Sequence, residues 1–264
     1  MEPAPTIGVQ RDMRSTPLVV SFALVCWLVG ASVFSQDGLP LFRRMQDALG
    51  GADRIAAVRD LEQQVRAESF NGNTGQSLGE VRKRTRFVRP NHLRVDQVGL
   101  GSTYVLYFDG TAGWEILPGT QKAVPIEGGE LAFAQNYIRG FPLNLWLADR
   151  DPRYRITSPS PNVVRISDGD IAHQVDYTLD PRTSLPLRTG TTSLSNPAHP
   201  TPSEDVTTEW ETVQGIHFAR RWTVYRSGIR VAEAIDARTT VNTGLDPADL
   251  AAKPPDMKPV FGSR

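Results

Sequence analysis

The feature that most constrains the fold is an apolar run near the N-terminus, residues 17–34. Two arginines, Arg11 and Arg14, precede the run, and the polar residues 35–37 follow it. Positive charge, then an apolar stretch, then small polar residues is the order of an export signal. Because the run is about as long as the shortest membrane-spanning helix, it predicts either a cleaved signal or an uncleaved inner-membrane anchor. We therefore expect an exported, periplasmic domain that is built after residue 36.

Cysteine usage and charge exclude several classes of function. The only cysteine, Cys26, lies inside the apolar run behind the bulky Val25, so we interpret it as an apolar filler rather than a lipid-attachment site. Without it, the exported part has no disulfide, no thiol nucleophile and no cysteine-ligated metal. The chain has 29 basic and 29 acidic residues, and removing residues 1–35 deletes two of each. A net charge of zero argues against nucleic acid as a partner.

The remaining sequence has the pattern of an antiparallel sheet with a few helices. Leu41, Met45 and Leu49 share one face of a predicted helix over 41–49, which Gly50-Gly51 ends. Segments of period two then alternate with turn residues, and a helical insert over 129–148 is interrupted at Pro142. The other predicted strands are 78–88, 92–99, 103–109, 113–118, 121–126, 162–168, 171–179, 185–193 and a meander over 205–241. We expect a signal or anchor at 1–36, one mostly β or α+β domain at 37–250, and a proline-rich tail at 251–264.

The hairpin near residue 214 has two possible registers. A two-residue turn at Gln214-Gly215 pairs Glu211 with Phe218, whereas a three-residue loop over 213–215 pairs Trp210 with Phe218. The second register gathers the apolar side chains on one face, and a slip of one residue inverts every side chain. We therefore predict the three-residue loop, with Gly215 in the left-handed conformation.

The sequence offers little support for catalysis. Ser77 lies in a G-x-S-x-G motif, which needs a strand before it and a helix after it. Here a loop precedes the motif and a strand-like segment follows, so we interpret it as a hairpin connection. His217 and Glu211 share the polar face of the predicted hairpin as a surface contact. The histidines show no metal-ligand spacing; they are His92, His173, His199 and His217. We predict no catalytic residue, no metal and no cofactor, and therefore a protein that is not an enzyme.

Two features point to binding instead. Arg82, Arg84 and Arg86 share one face of a strand, either as a solvated outer surface or as a docking stripe for an anionic headgroup or an acidic envelope partner. Large apolar side chains on the predicted inner faces form a core or line an apolar ligand pocket between sheet and helices. The candidate lining residues are Leu106, Phe108, Trp114, Phe133, Tyr137, Phe141, Trp146, Trp210, Phe218 and Trp222.

Four segments together resemble a known family: Ala48–Arg54, Tyr107–Trp114, Leu179–Pro186 and Val241–Asp246. They are similar to segments of the LolA/LolB-like superfamily of cell-envelope proteins, particularly the outer-membrane lipoprotein-sorting group. The resemblance implies an incomplete antiparallel β-barrel whose concave face is covered by helices, with an apolar cavity that in the carriers receives lipoprotein acyl chains. It transfers no acyl-binding residue, and the lipidated cysteine of LolB-like proteins is missing.

Taken together, these features predict a non-enzymatic periplasmic protein that binds a lipid or acylated ligand in a half-barrel cavity, in lipoprotein sorting or transport. The alternative is an envelope scaffold or sensor that acts through its sheet surface and has a packed interior. The expected partners are a hydrophobic or acylated ligand and an envelope protein, with membrane association through the N-terminal segment if it is not cleaved.

Overall fold

The structure, a computed structural model, describes residues 36–120, 122–170, 173–193 and 201–253. The strands of these residues are β1 (Gln36–Asp37), β2 (Asp60–Phe70), β3 (Ser77–Val88), β4 (His92–Gly99), β5 (Ser102–Phe108), β6 (Gly113–Ile116), β7 (Val124–Pro125), β8 (Arg155–Ser160), β9 (Val163–Ser167), β10 (Val175–Leu179), β11 (Pro186–Ser193), β12 (Thr201–Val213), β13 (Ile216–Arg226) and β14 (Ile229–Val241). The helices are α1 (Leu39–Leu49), α2 (Ala52–Ala56), α3 (Gly128–Arg139), α4 (Pro142–Leu145) and α5 (Pro247–Ala251), with a 3-10 turn at Ala148–Arg150.

All of these strands join one antiparallel sheet, in the order β1-β8-β9-β10-β11-β12-β13-β14-β2-β3-β4-β5-β6-β7. The sheet stays open because β1 and β7 form its two edges and do not pair with each other. The long strands β12, β13, β14, β2 and β3 lie in the middle. This architecture confirms the predicted mostly β fold, an open antiparallel half-barrel with few helices.

Helices α1 to α4 cover one end of one face of the sheet, and α5 packs on the other face. Phe42, Met45 and Leu49 of α1 are fully buried in the main core. Helix α1 ends at Gly50, as predicted, because Gly50 has a φ of +127° and a Cβ there would lie 2.3 Å from the Gly215 carbonyl oxygen.

The predicted interruption of the helical insert is also confirmed. Helix α4 begins at Pro142, where a missing N–H does no harm in a first turn.

The turns that carry the family resemblance are fixed by aspartate side chains. Asp109 Oδ1 accepts hydrogen bonds from the N–H groups of Thr111 at 2.8 Å and Ala112 at 2.7 Å. Asp180 Oδ1 likewise accepts from the Arg182 N–H at 2.7 Å. A short carboxylate that caps its own turn explains why these segments have a recognisable sequence.

The predicted register of the β12–β13 hairpin is wrong. Gln214 and Gly215 both have positive φ, and they form a two-residue turn that pairs Glu211 with Phe218 and Trp210 with Ala219. The prediction assumed that a glutamate would face solvent. Instead, Glu211 lies opposite Phe218, and its carboxylate accepts a hydrogen bond from the Thr239 N–H at 2.7 Å. This hydrogen bond gives the carboxylate a partner within the protein.

Some predicted boundaries change, and some predictions fall outside the described residues. The strand predicted over 121–126 is limited to 124–125, and the one predicted over 171–179 begins at Val175. The signal or anchor through residue 35, Cys26, His199 and residues 254–264 lie outside the described part of the chain. Within the ranges given above, no helix combines the length and apolarity needed to cross a bilayer.

Candidate functional site

The inner face of the sheet, which we define as the face that α1 covers, has two parts. Residues opposite each other on antiparallel strands point to the same face, as do residues two apart along a strand. Leu61 lies opposite Phe87, and Val65 lies opposite Lys83. Leu61 and Phe87 belong to the main core under the helices, whereas Val65 belongs to a separate cluster further along the same face. The inner face therefore continues beyond the helix-covered core.

Half of the candidate lining residues lie in the packed core. Phe87 stacks on Phe141 with ring centroids 4.4 Å apart, and Trp146 lies 5.8 Å from Phe218. Every one of the five is at most 6% exposed: Leu106, Phe108, Phe141, Trp146 and Phe218. These side chains fill the helix-covered end. Trp210 also packs against this core, partly buried.

Trp114 is not where the sequence analysis places it, and Phe133 is more exposed than a core residue. Trp114 lies opposite Tyr107, one residue from the inward-facing Leu106, so it points to the outer face. There it is 6% exposed and packs with Leu250 of α5. Phe133 lies on α3 and is 45% exposed. The prediction that Trp114 lines the interior is therefore corrected, whereas that for Phe133, whose ring centroid lies 6.2 Å from that of Tyr137, stays a prediction.

The second part of the inner face is an apolar surface that we call the trough. Its centre consists of Val65, Ala234 and Ala237, against which Ala67 and Trp222 pack. Ala67 and Trp222 are only half-buried. Val65, Ala234 and Ala237 are at most 7% exposed, so the accessible apolar surface of the trough is that of Ala67 and Trp222. Of the ten candidates, Trp222 lies in it and Tyr137 lies at its border.

A lysine is the main polar group of the trough. Lys83 is half-buried directly opposite Val65, and its Nζ donates a hydrogen bond to the Tyr137 hydroxyl at 2.8 Å. The same Nζ lies 5.2 Å from the centroid of the Tyr137 ring, a cation–π distance. Tyr137 belongs to α3, so this contact joins the helix to the sheet at the edge of the trough.

Asp205 faces Lys83 across the concavity. It lies on β12 opposite Val224, on the same face of the sheet as Trp222. Burial raises the pKa of Asp205 to about 6, while the positive charges of Lys83 and Arg226 oppose that rise. Strands β12 and β3 are separated by three others, so an interaction between Asp205 and Lys83 requires the sheet to curl.

A line of polar side chains separates the trough from the core. Lys83, Gln97 and Tyr104 lie opposite one another on β3, β4 and β5. Burial raises the pKa of Glu115, and the charge of Glu130 raises it further, although a hydrogen bond from Tyr104 opposes both. Burial and Glu115 together raise the pKa of the Tyr104 hydroxyl. The Glu115 carboxylate is therefore already hydrogen-bonded to the Tyr104 hydroxyl.

Sequence reasoning missed Lys83 and Asp205 as site residues. The signal for Lys83 was present, because Arg82 and Arg84 share one face of β3 and the residue between them has to point the other way. Asp205 gave no such signal. Its partner lies four strands away in the sheet, and only the curvature brings the two together.

The arginine stripe lies on the outer face and is internally paired. Arg82 contacts Glu80 at 2.7 Å, and Arg84 contacts Glu62 at 2.8 Å. Arg86 contacts Asp96 at 2.5 Å, and that carboxylate is fully buried. Each guanidinium of the proposed docking stripe already has a carboxylate, which favours the interpretation as a charge-paired surface over that as a docking stripe.

A cleft at the helix-covered end is polar. Its volume is about 450 Å³, and its lining includes Arg89, Arg139, Arg150 and Arg153 as well as Phe108. Arg89 donates to the backbone carbonyls of Val58 at 2.7 Å and Leu143 at 2.9 Å. The other guanidinium groups have carboxylate partners at 2.6–4.0 Å. Arg89 therefore ties α4 to the sheet, and the cleft is not an apolar pocket.

The motifs that resemble catalytic sites do not form one. Ser77 begins strand β3, with its hydroxyl bonded to Glu68 rather than exposed above a helix. Glu211 and His217 alternate on opposite faces in the observed register, so they do not form an acid–base pair. His173 Nδ1 lies 2.7 Å from Asp168 Oδ2, and its Nε2 lies 2.7 Å from Asn136, which links α3 to the β9–β10 turn. Within the described ranges, no three His, Cys, Asp or Glu side chains gather as a potential metal site.

Comparisons with known proteins identify the fold. No family model and no curated protein matches the chain. Its structure is similar to that of a DUF1329 family protein from Desulfovibrio piger, with a TM-score of 0.53, 13% identity, and coverage of 81% of this chain and 97% of that one. A LolA superfamily protein from Nitrosomonas europaea aligns with a TM-score of 0.50 and 11% identity over 79% of this chain and 97% of that one. At such identities the likeness establishes the fold alone, and the chain has the LolA-like fold that the sequence resemblance implied.

Proposed function

We propose that this is a non-enzymatic cell-envelope protein that binds a lipid or acylated ligand in the trough. The half-exposed apolar surface of Ala67 and Trp222 carries this proposal. An apolar inner face is normally covered, and an apolar surface left accessible marks an interaction site. The LolA-like fold supports a carrier role, and lipoprotein sorting is the specific version of this proposal.

The N-terminal pattern supports a periplasmic location. Arg11 and Arg14 followed by the apolar run 17–34 are typical of a chain that is exported. The domain then works in the periplasm, either free after cleavage or anchored to the inner membrane by that run. An envelope protein that supplies or accepts the ligand is the expected partner.

The test is a ligand-binding measurement on the full chain with a blocked trough. Monoacylglycerol should raise the midpoint of thermal unfolding, because a ligand at one hundred times its Kd stabilises a fold by about 2.7 kcal/mol. Ala67→Phe should abolish the shift by filling the trough. Arg66→Phe, one residue away on the outer face of β2, is the matched control and should leave the shift unchanged. Native mass spectrometry of the protein from its own envelope would identify the ligand.

A scaffold or sensor with a packed interior is the second candidate function. The observation in its favour is the packing of five candidate lining residues in the core, each at most 6% exposed. If no amphiphile shifts the unfolding midpoint and Ala67→Phe behaves like Arg66→Phe, the scaffold function is the better one.

A further inference from the structure

The trough contains a cation that has no carboxylate in direct contact with it. Lys83 Nζ has one hydrogen-bond partner, the neutral Tyr137 hydroxyl, and within the described ranges no carboxylate lies within 4.0 Å of it. Its neighbours Arg82 and Arg84, on the other face of β3, each have a carboxylate at 2.7–2.8 Å. An ammonium group has three donors, and a half-buried one is most stable with an anion beside it. The outer-face arginines are in direct contact with carboxylates, whereas Lys83 is not, and the nearest opposing charge that acts on it is that of Asp205 on another strand.

The position of this ammonium fits an amphiphile. Lys83 lies directly opposite Val65 on the neighbouring strand, at the border of the apolar surface, and one strand from Ala67. An alkyl chain along Ala67 and Trp222 would end beside the ammonium. The Tyr137 hydroxyl, at 2.8 Å from Lys83 Nζ, adds a neutral hydrogen-bonding group at the same point. Apolar wall and cation are thus arranged as a chain site with a headgroup site at its border.

We propose that the trough selects anionic amphiphiles, whose headgroup lies against the Lys83 ammonium while the chain covers the apolar wall. This proposal rests on the proposed function and specifies its ligand class. A phosphate or carboxylate headgroup would form a charge-assisted hydrogen bond with Lys83. A neutral amphiphile would make the same apolar contacts without that bond.

Asp205 makes the selection dependent on pH. The charged groups that act on Asp205 are Lys83 on β3, Arg226 on β13 and Glu204 on its own strand. When Asp205 is ionised, its negative charge competes with an anionic headgroup for Lys83. Burial raises the pKa of Asp205 to about 6, so the competing charge disappears as the pH falls below that value. Affinity for an anionic ligand should therefore increase from pH 7.5 to pH 5.

The experiment compares single-chain lipids that differ only in their headgroup. Binding of lysophosphatidylglycerol and monoacylglycerol to the full-length protein is measured by titration below their critical micelle concentrations. The phosphodiester stays charged over this pH range, so the ligand itself does not titrate. We expect the anionic lipid to bind about tenfold more tightly at pH 7.5, since one charge-assisted contact corresponds to about that factor. Its affinity should rise further at pH 5, and that of monoacylglycerol should not change.

Three variants assign the effect to residues. Lys83→Gln should remove the preference for the anionic lipid without weakening monoacylglycerol, and Lys83→Arg should retain it. Asp205→Asn should raise the anionic affinity at pH 7.5 and abolish its pH dependence. Arg82→Gln, one residue away on the outer face, is the matched control and should change neither affinity. Thermal melts establish that each variant is folded.

The outcomes separate this proposal from the proposed function. Equal affinities for both lipids, or equal weakening of both by Lys83→Gln, would overturn the anionic selection while leaving amphiphile binding intact. Binding of neither lipid would overturn both proposals.

Discussion

Replacing Trp114 by alanine should destabilise the protein much more than replacing Phe133, although both are large aromatic residues at predicted inner positions. Trp114 is 6% exposed, and its Nε1–H donates to the Ala251 carbonyl at 3.2 Å. The Arg94 guanidinium lies 5.4 Å from its ring centroid. An aromatic side chain that buries about 200 Å² contributes about 5 kcal/mol, and measured losses for buried tryptophan are about 3–5 kcal/mol. We expect about 4 kcal/mol for Trp114→Ala.

Phe133→Ala is the comparison. Phe133 is 45% exposed, it has no hydrogen-bonding group, and alanine is the better helix former in α3 by about 0.5 kcal/mol. Half of a buried phenylalanine's loss, less that gain, leaves about 1 kcal/mol. The free energy of unfolding should be measured by urea denaturation followed by far-UV circular dichroism, because removing a tryptophan changes the fluorescence signal. Equal losses, or a larger loss for Phe133→Ala, would refute the assignment of Trp114 to a packed outer cluster.

Three further predictions address the turns and the motif serine. Gly50→Ala should lower the free energy of unfolding, measured by urea denaturation, by about 1–3 kcal/mol more than Gly51→Ala. Both glycines have positive φ, but only at Gly50 would a Cβ meet the Gly215 carbonyl oxygen. Similar losses for the two variants would contradict this close contact. Asp109 should stabilise the fold above pH 4 and lose that contribution at lower pH. Burial tends to raise the pKa of Asp109, but hydrogen bonds from backbone N–H groups bring it below the usual 3.8. The difference in unfolding free energy between the wild type and Asp109→Asn should therefore shrink as the pH falls through the folded pKa. Ser77→Ala should change stability by less than about 0.5 kcal/mol, and a fluorophosphonate probe that labelled Ser77 would contradict the absence of a serine nucleophile.

Local pattern predicted the elements of this fold well. The period-two segments and the turn residues between them gave most strands within two residues, and Gly50 and Pro142 marked the helix boundaries where the structure has them. These features depend on a few neighbouring residues, such as a missing N–H or a positive φ, so they are visible in the sequence. The resemblance to the LolA-like fold rested on turns such as Asp109-Gly110, which are equally local.

Local pattern failed where long-range contacts satisfied a polar group. The register of the β12–β13 hairpin was predicted by gathering the apolar side chains on one face, which left Glu211 on the other. Instead, Glu211 lies opposite Phe218, and the Thr239 N–H from the next strand but one donates to its carboxylate. Trp114 was assigned to the interior for its size, and the C-terminal helix α5 covers it on the outer face instead. Neither partner is close in sequence.

The sequence by itself determined the antiparallel sheet, its helices and the alternation that points Arg82 and Lys83 to opposite faces, because each follows from local backbone geometry. The tertiary structure alone decided which face is covered, and it brought Asp205 within electrostatic reach of Lys83. Both results depend on the curvature of an open sheet and on where the helices pack. Curvature and helix packing are in turn set by many contacts between residues that are distant in sequence. The candidate site is therefore a product of the curled sheet, and its residues carry no motif.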